Sequence, residues 1–346
     1  MSLYDSVREL PLEIDGYRLT GQEVEVSFLR KTTTVTLVGA GEEGAGEDVT
    51  YDAGEHDVLQ ARGADLPLAG TWTLDSFSRH LAEQQLFTTE PDQHAFLDYR
   101  RWAFESAALD LALRQSGTSL GTLLEREARP LRFVVSMHLG DPATSDRIRA
   151  WLSVDPSLTF KLDATPSWND ELVAELARLG CVDAVDFKGQ YHGTSVDNPA
   201  DPGLYRRVLE GLPDAWLEDP ELTPETIELL DPVADRVTWD APIHSVDDII
   251  GLHWAPSSVN LKPSRFGSVE RLFAAYDHCA EHEIAAYGGG QWELAVGRDH
   301  IQLLASLFHP STSNDVAPSA YNLGPVAGLP PSPLTLTPRG TGLALA

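Results

Sequence analysis

From Arg129 onward the chain repeats one unit. Short apolar runs alternate with segments of helical period: LRFVVSMHLG then SDRIRAWL, LTFKLDA then NDELVAELARLG, VDAVDFKGQY then GLYRRVLEGL, DAWLEDP then PETIELLD. The series continues through RVTWDAP, SVDDIIGL, SVNLKPSR, SVERLFAAYDHCAEH, IAAYGGGQ and AVGRDHIQLLASLF and ends on SNDVAPSAYN, giving eight strands and seven intervening helices. Strands joined through helices run parallel, because only a long crossover brings the chain back to start the next strand in the same direction. Eight such units in roughly 200 residues predict an α/β protein, a closed β/α barrel of the TIM type, over 129–322. An open doubly wound sheet is the alternative, but it calls for a glycine-rich phosphate turn after the first strand, and MHLGDPAT is a poor one.

The front of the chain has another rhythm. EVEVSFLRKTTTVTLVG alternates apolar and polar residues, GEEGAGE reads as a glycine-rich turn, and VTYDAG follows, which together predict an antiparallel meander. Between about 92 and 125 the period becomes helical in FLDYRRWAFESAALDLALRQSG, with Gly117 as its stop. Residues 1–128 are thus expected to form a small α+β domain. The proline-rich segment 323–346 is expected to run extended and pack back on that domain or fray.

Composition removes several function classes. A formal charge of −28 repels phosphate backbones and anionic membranes, so nucleic-acid and membrane partners are not expected. No apolar run approaches the roughly 20 residues that span a bilayer and no basic-then-apolar leader opens the chain, so the expected location is the cytoplasm. Cys181 and Cys279 lack metal or disulfide spacing and read as core residues.

Lysine is the informative residue. Of 25 basic residues only four are lysine, and three of these, Lys161, Lys188 and Lys262, sit in the strand-like runs FKLDATP, VDFKGQY and VNLKPSR. Arginine stays protonated in proteins, whereas lysine can be tuned to give and take a proton. Several strands end in a charge followed by proline, which cannot continue a central strand, so the charges lie at the strands' carboxyl ends, the catalytic face of a β/α barrel. Side chains two apart share a strand face, pairing Lys161 with Asp163 and Asp186 with Lys188, while Glu218, Asp240 and Lys262 take the same place on three successive strands. Carboxylates converging from adjacent strands repel one another unless a cation joins them, and an all-oxygen set suits Mg²⁺.

At these residues the chain resembles the enolase superfamily over nearly its whole length. GEEGAGE and FESAALDLALRQSGTSLGTLL resemble that family's capping domain. VNLKPSRFGSVE, GGGQWELAVGRDH and SNDVAPSAY are most similar to the muconate-lactonizing-enzyme subgroup, especially o-succinylbenzoate synthases and N-acylamino acid racemases. The resemblance implies Asp186, Glu218 and Asp240 as Mg²⁺ ligands, Lys262 as the acid/base lysine of the sixth strand, and Lys161 as the first lysine of a Lys-x-Lys pair. In an alternative register Lys161 is the second lysine and Thr159 stands at the first place. Three positions depart from the family pattern: Asp163 stands where the second lysine is usual, Lys188 where the third strand has asparagine, and Ala241 where an acid follows the fifth-strand aspartate. Asp163 and Lys188 lie at comparable heights on neighbouring strands and are expected to touch, which makes either an acid of Lys188 or a structural ion bridge.

The expected function is an Mg²⁺-dependent isomerase or lyase that abstracts the α-proton of a small carboxylate substrate through an enediolate, with Lys262 as principal base and Lys161, Lys188 and Asp163 completing the catalytic set. A site with one base favours elimination or one-sided proton transfer over racemisation. The alternatives are a non-catalytic or metal-free relative that binds a small acid, and an o-succinylbenzoate synthase-like dehydratase. His138, Tyr191, Trp292 and Glu293 are the candidate substrate contacts. His278 and His282 stand one turn apart on an outer helix and read as a solvated face. A homo-oligomer is compatible with the sequence, since symmetric association is common among soluble enzymes.

Overall fold

The computed structural model describes residues 2–26, 28–194 and 196–346. The front domain contains β1 (Pro11–Ile14), β2 (Gly16–Glu25), β3 (Leu29–Gly39), β4 (Glu42–Asp48), α1 (Ala53–Arg62), β5 (Gly70–Thr73), α2 (Leu74–Ala82), α3 (Ala95–Gln115) and the short α4 (Leu120–Leu123). Strands β2, β3 and β4 form an antiparallel sheet and β1 pairs with β5. One expectation is corrected here: the turn is confined to Ala40 and Gly41, and Glu42–Asp48 is itself a strand. Its glycines are there for contact. A Cβ on Gly44 would lie 2.4 Å from the Ala107 carbonyl oxygen, and one on Gly46 would lie 2.0 Å from that of Ala103, so β4 presses its backbone directly on α3. Pressed from that side and covered elsewhere, α3 buries every residue from Trp102 to Leu113.

The second domain holds β6 (Val135–His138), α5 (Asp146–Val154), β7 (Phe160–Asp163), α6 (Asp170–Leu179), β8 (Val182–Asp186), α7 (Pro202–Gly211), β9 (Trp216–Glu218) and α8 (Pro224–Leu230). It continues with β10 (Val237–Trp239), α9 (Val246–Ile250), β11 (Ser258–Asn260), α10 (Pro263–Phe266), α11 (Val269–Glu281), β12 (Ala285–Tyr287) and α12 (Val296–Phe308). The seven strands pair in parallel in chain order from β6 to β12, the sheet of a β/α barrel. Side-chain caps set where helices begin: Asn169 accepts from the Leu172 N–H, Asp201 from Gly203 and Leu204, and Thr223 forms a capping box with Thr226.

The eighth strand is shorter than SNDVAPSAYN suggests. The ring closes between β6 and β12 through single parallel bridges, Phe133 with Asn314 and Gly289 with Asp315. A tight turn, Asn314 N–H to Thr312 O at 2.9 Å, precedes these residues and Pro318 follows, leaving little chain free to pair. The Asn314 side chain supplies the rest: its Oδ1 accepts from the Gly288 N–H at 2.7 Å, and its Nδ2 donates to the carbonyls of Arg132, His309 and Thr312 at 3.0 Å each. The tail runs back over both domains, with Leu334 bridged to Leu131 and the Leu343 N–H donating to Asp110 of α3 at 2.7 Å. Cys181 and Cys279 are free and buried. Among the described residues no helix is long and apolar enough to cross a membrane.

Candidate active site

Parallel register brings the strand-end charges to one level. Asp163 pairs with Asp186 and Asp186 with Glu218, and the inward positions continue through Asp240 and Lys262 just beyond β10 and β11. Asp186, Glu218 and Asp240 are fully buried, Lys161 and Lys262 nearly so. Lys161 Nζ bonds Glu218 Oε1 and lies 3.3 Å from Asp186 and 3.6 Å from Asp315. Lys188 Nζ is 2.5 Å from Asp186 Oδ2 and 3.3 Å from Asp163 Oδ1, so the neighbouring-strand exchange is a contact. Lys262 Nζ lies 2.8 Å from Asp240 Oδ2; Arg265 holds Asp240 Oδ1 at 2.7 Å as well as its carbonyl oxygen, and the Tyr191 hydroxyl donates to Oδ2 at 2.9 Å.

These neighbours separate the lysines. Burial disfavours charge on Lys161, but Glu218, Asp186 and Asp315 outweigh it and hold its pKa well above the usual lysine range. Lys188 is held up in the same way by Asp163 and Asp186. Lys262 goes the other way: burial, with Arg265 and Lys161 nearby, outweighs Asp240 and lowers it. Among the acids, burial together with Asp186, Asp240 and Asp219 pushes Glu218 up to about 8 despite Lys161. Asp240 is held well below the carboxylate range because Arg265 and Lys262 overcome its burial.

Asp186, Glu218 and Asp219 each offer a carboxylate oxygen within 4.8 Å of the others. Asp219 was not singled out from the sequence, where EDP reads as a strand-to-turn transition. Its two oxygens accept the N–H groups of Asp240 and Ala241 at 2.8 Å each, and burial beside Asp240 and Asp186 raises it to about 7. Asp240 stands outside this group, its carboxylate committed to Lys262, Arg265 and Tyr191. The donor set is all oxygen and short enough of positive charge to raise two of its acids, which is the chemistry that suits a hard divalent cation. An acidic triad able to hold a metal is therefore present.

Lys188, Asp219 and Trp292 are three of the six non-glycine residues with positive φ among the described residues, at +55°, +48° and +56°. Such backbones are costly and cluster where geometry serves a function. All three surround the barrel mouth, where a cavity of about 430 Å³ is lined by Val26, Ser136, His138, Arg147, Asp163, Trp292, Arg298 and Asp315 among others. His138 faces it, its Nδ1 accepting the Gly140 N–H at 2.9 Å. Glu293 turns away, buried 3.2 Å from Arg298 with Oε1 on the Gln291 N–H. Arg147 and Arg298 escaped sequence reading because both sit in the first turns of helices that read as outer-ring segments. The rings of His278 and His282 lie 4.3 Å apart and tilted by 50° at the end of α11, apart from the cluster.

The front domain holds the loop after β12 in place. Arg30 of β3 is fully buried and donates to the carbonyls of Gln291 at 2.7 Å and Trp292 at 3.2 Å, besides Val49 and Thr50. Glu47 of β4 accepts the N–H groups of Leu294, Ala295 and Gly297 where α12 begins. Tyr99 of α3 accepts from Gln291 at 3.0 Å.

Residues 5–123 match the N-terminal-domain model, and residues 127–323 the C-terminal-domain model, of the family described as Domain of unknown function (DUF8230). No curated protein sequence matches the chain. Among solved structures, muconate cycloisomerase from Pseudomonas fluorescens superposes with a TM-score of 0.70 at 18% identity, covering 97% of this chain and 96% of that one. Dipeptide epimerase from Enterococcus faecalis V583 does so with a TM-score of 0.66 at 14% identity, covering 97% and 100%. An enolase superfamily member from Listeria innocua Clip11262 does so with a TM-score of 0.63 at 18% identity, covering 89% and 86%. At these identities the likeness establishes a shared fold.

Proposed function

The chain belongs to the DUF8230 family and has the two-domain fold of the enolase superfamily, and from that premise we propose an enzyme, an Mg²⁺-dependent isomerase or lyase that removes the α-proton of a carboxylate substrate. One arrangement carries this reading: Lys161 on β7 and Lys262 beyond β11 stand four strands apart in the ring, reach the same buried carboxylate cluster, and are tuned in opposite directions. Lys262, with its charged form disfavoured, is the principal base. Lys161, held protonated, stabilises negative charge developing on the substrate carboxylate. Lys188, held protonated by Asp163 and Asp186, serves as an acid and not as a base. A single low-pKa lysine fits elimination or one-sided proton transfer better than racemisation, and a dehydration of the o-succinylbenzoate synthase type falls within that reading.

Asp186, Glu218 and Asp219 would hold the Mg²⁺, which when bound supplies electrophilic stabilisation to the charge that forms as the α-proton leaves. The mouth cavity would take the substrate, with Arg147 offering a cationic group to a carboxylate, Arg298 being paired with Glu293, and Trp292 and His138 walling it. A cytoplasmic location and self-association belong to the same proposal.

A second reading has its own observation. Asp186, Glu218 and Asp240 each already hold an ammonium or guanidinium, as a metal-free binder of small acids would require. The readings part on isotope exchange: a panel of carboxylic acids is incubated in heavy water with Mg²⁺ and wild type or Lys262→Ala, with folding checked by circular dichroism. Exchange at the α-carbon that disappears in folded Lys262→Ala supports the enzyme. Saturable binding of an acid with no exchange by wild type supports the binder.

A further inference from the structure

Below the lysine and carboxylate layer the barrel is hollow. The interiors of β/α barrels are normally filled by layers of bulky branched side chains. Here the inward positions near the strands' amino ends are small: Ala184 of β8, Ser258 of β11 and Ala285 of β12. They leave a cavity of about 230 Å³, with Lys161, Glu218, Thr238 and Tyr287 above it and Trp216 and Arg132 towards the amino-terminal face. Ala184, Ser258 and Ala285 all line this space, and none of their side chains is long enough to fill it.

The groups above this space have little left to offer water. Lys161 Nζ is engaged by Glu218, Asp186 and Asp315, the Tyr287 hydroxyl donates to Glu218 Oε2 at 2.8 Å, and the Thr238 hydroxyl donates to the Ser258 carbonyl at 2.9 Å. A buried water needs two to four polar partners, whereas an apolar cavity of about 150 Å³ takes a benzene ring. The present cavity therefore has room for one ring and a small substituent, with the indole of Trp216 and the phenol of Tyr287 as aromatic surfaces. At the rim Arg132 is already paired with Asp183, so an anion finds no free charge, while Ser311, Thr312 and Ser313 offer hydroxyls.

We propose that the amino-terminal end of the barrel is a second ligand site, for a neutral single-ring aromatic molecule bearing one hydroxyl or N–H group. Lys161 and Glu218 line this site and not the mouth cavity, so the two sites are distinct.

The test uses the full chain with p-cresol as probe, read by calorimetry and by the structure of the soaked crystal. Two variants fill the space, Ala184→Leu and Ala285→Leu; Ala285 lies towards the exposed rim and is the safer for folding. Saturable binding by wild type, weakened about tenfold or more in a folded filling variant, with the ring found between Trp216 and Tyr287, supports the site. No saturation up to 10 mM probe, binding unchanged in both folded variants, or binding lost in Trp292→Ala but kept in Ala285→Leu overturns it, the last because the probe then sits at the mouth.

Discussion

Lys188→Asn tests the cluster most directly. Lys188 Nζ sits 2.5 Å from Asp186 Oδ2, the oxygen a cation would need, so ammonium and Mg²⁺ compete for one ligand. Two unit charges about 4 Å apart interact by ~4 kcal/mol at an effective dielectric of 20, and a dication doubles that repulsion. The lysine side chain is 20% exposed and can turn toward solvent, which relieves more than half of it. About 3 kcal/mol then remains, so the variant is expected to bind Mg²⁺ on the order of 100-fold more tightly than wild type. Calorimetric titration after chelator treatment reads this without any substrate. Lys188→Met separates removal of charge from the gain of an amide oxygen, and Glu218→Gln in the Lys188→Asn background should abolish the gain. The metal-free variant should also lose thermal stability, because Asp163 and Asp186 lose their shared cation, and Mg²⁺ should restore it. Unchanged or weaker Mg²⁺ binding in both folded lysine variants would refute the competition and move the metal away from Asp186.

Two further outcomes follow from groups outside the cluster. His300 and His309 are buried and held down to about 4 by desolvation, so the unfolded chain takes protons first; stability present above pH 6.5 drains away as pH falls toward 4, by up to about 3 kcal/mol per histidine. Among the described residues His300 has no partner for either ring nitrogen, so His300→Phe should flatten that part of the urea-denaturation profile with little cost at pH 7, and an unchanged slope would show that His300 is not neutral in the fold. Glu47→Gln turns an amide NH₂ toward the N–H groups that start α12 and should cost about 1–3 kcal/mol locally. Hydrogen exchange at Leu294, Ala295 and Gly297 should accelerate there while exchange in α3 stays slow, and uniform acceleration would mean global loss of stability instead.

The barrel was legible because its alternation is local and its strand-end prolines mark one face. Strand periodicity led to the Asp163–Lys188 contact, although Asp163 stands level with Asp186 and Lys188 lies two residues beyond β8 at φ +55°, its ammonium still 3.3 Å from Asp163. What escaped depends on partners distant in the chain. Arg30 and Glu47 sit in a meander whose pattern is satisfied by its own sheet, yet their bonds run to residues 291–297. Arg265 reads as the last residue of the strand-like run SVNLKPSR, whereas it lies in α10, which sets it on Asp240. GEEGAGE was misleading because glycine serves tight turns and close backbone packing alike, and only the position of α3 decides between them.

The near-missing eighth strand gives the ring a preferred place to part. Elsewhere neighbouring strands are joined by backbone ladders, but between β6 and β12 the closure passes through two bridges and the amide of Asn314. Asp315, next along, is 3.6 Å from Lys161 and borders the mouth cavity. Strain applied to the cylinder would therefore be released first along this seam, and the earliest electrical consequence would fall on the lysine that the carboxylates keep charged.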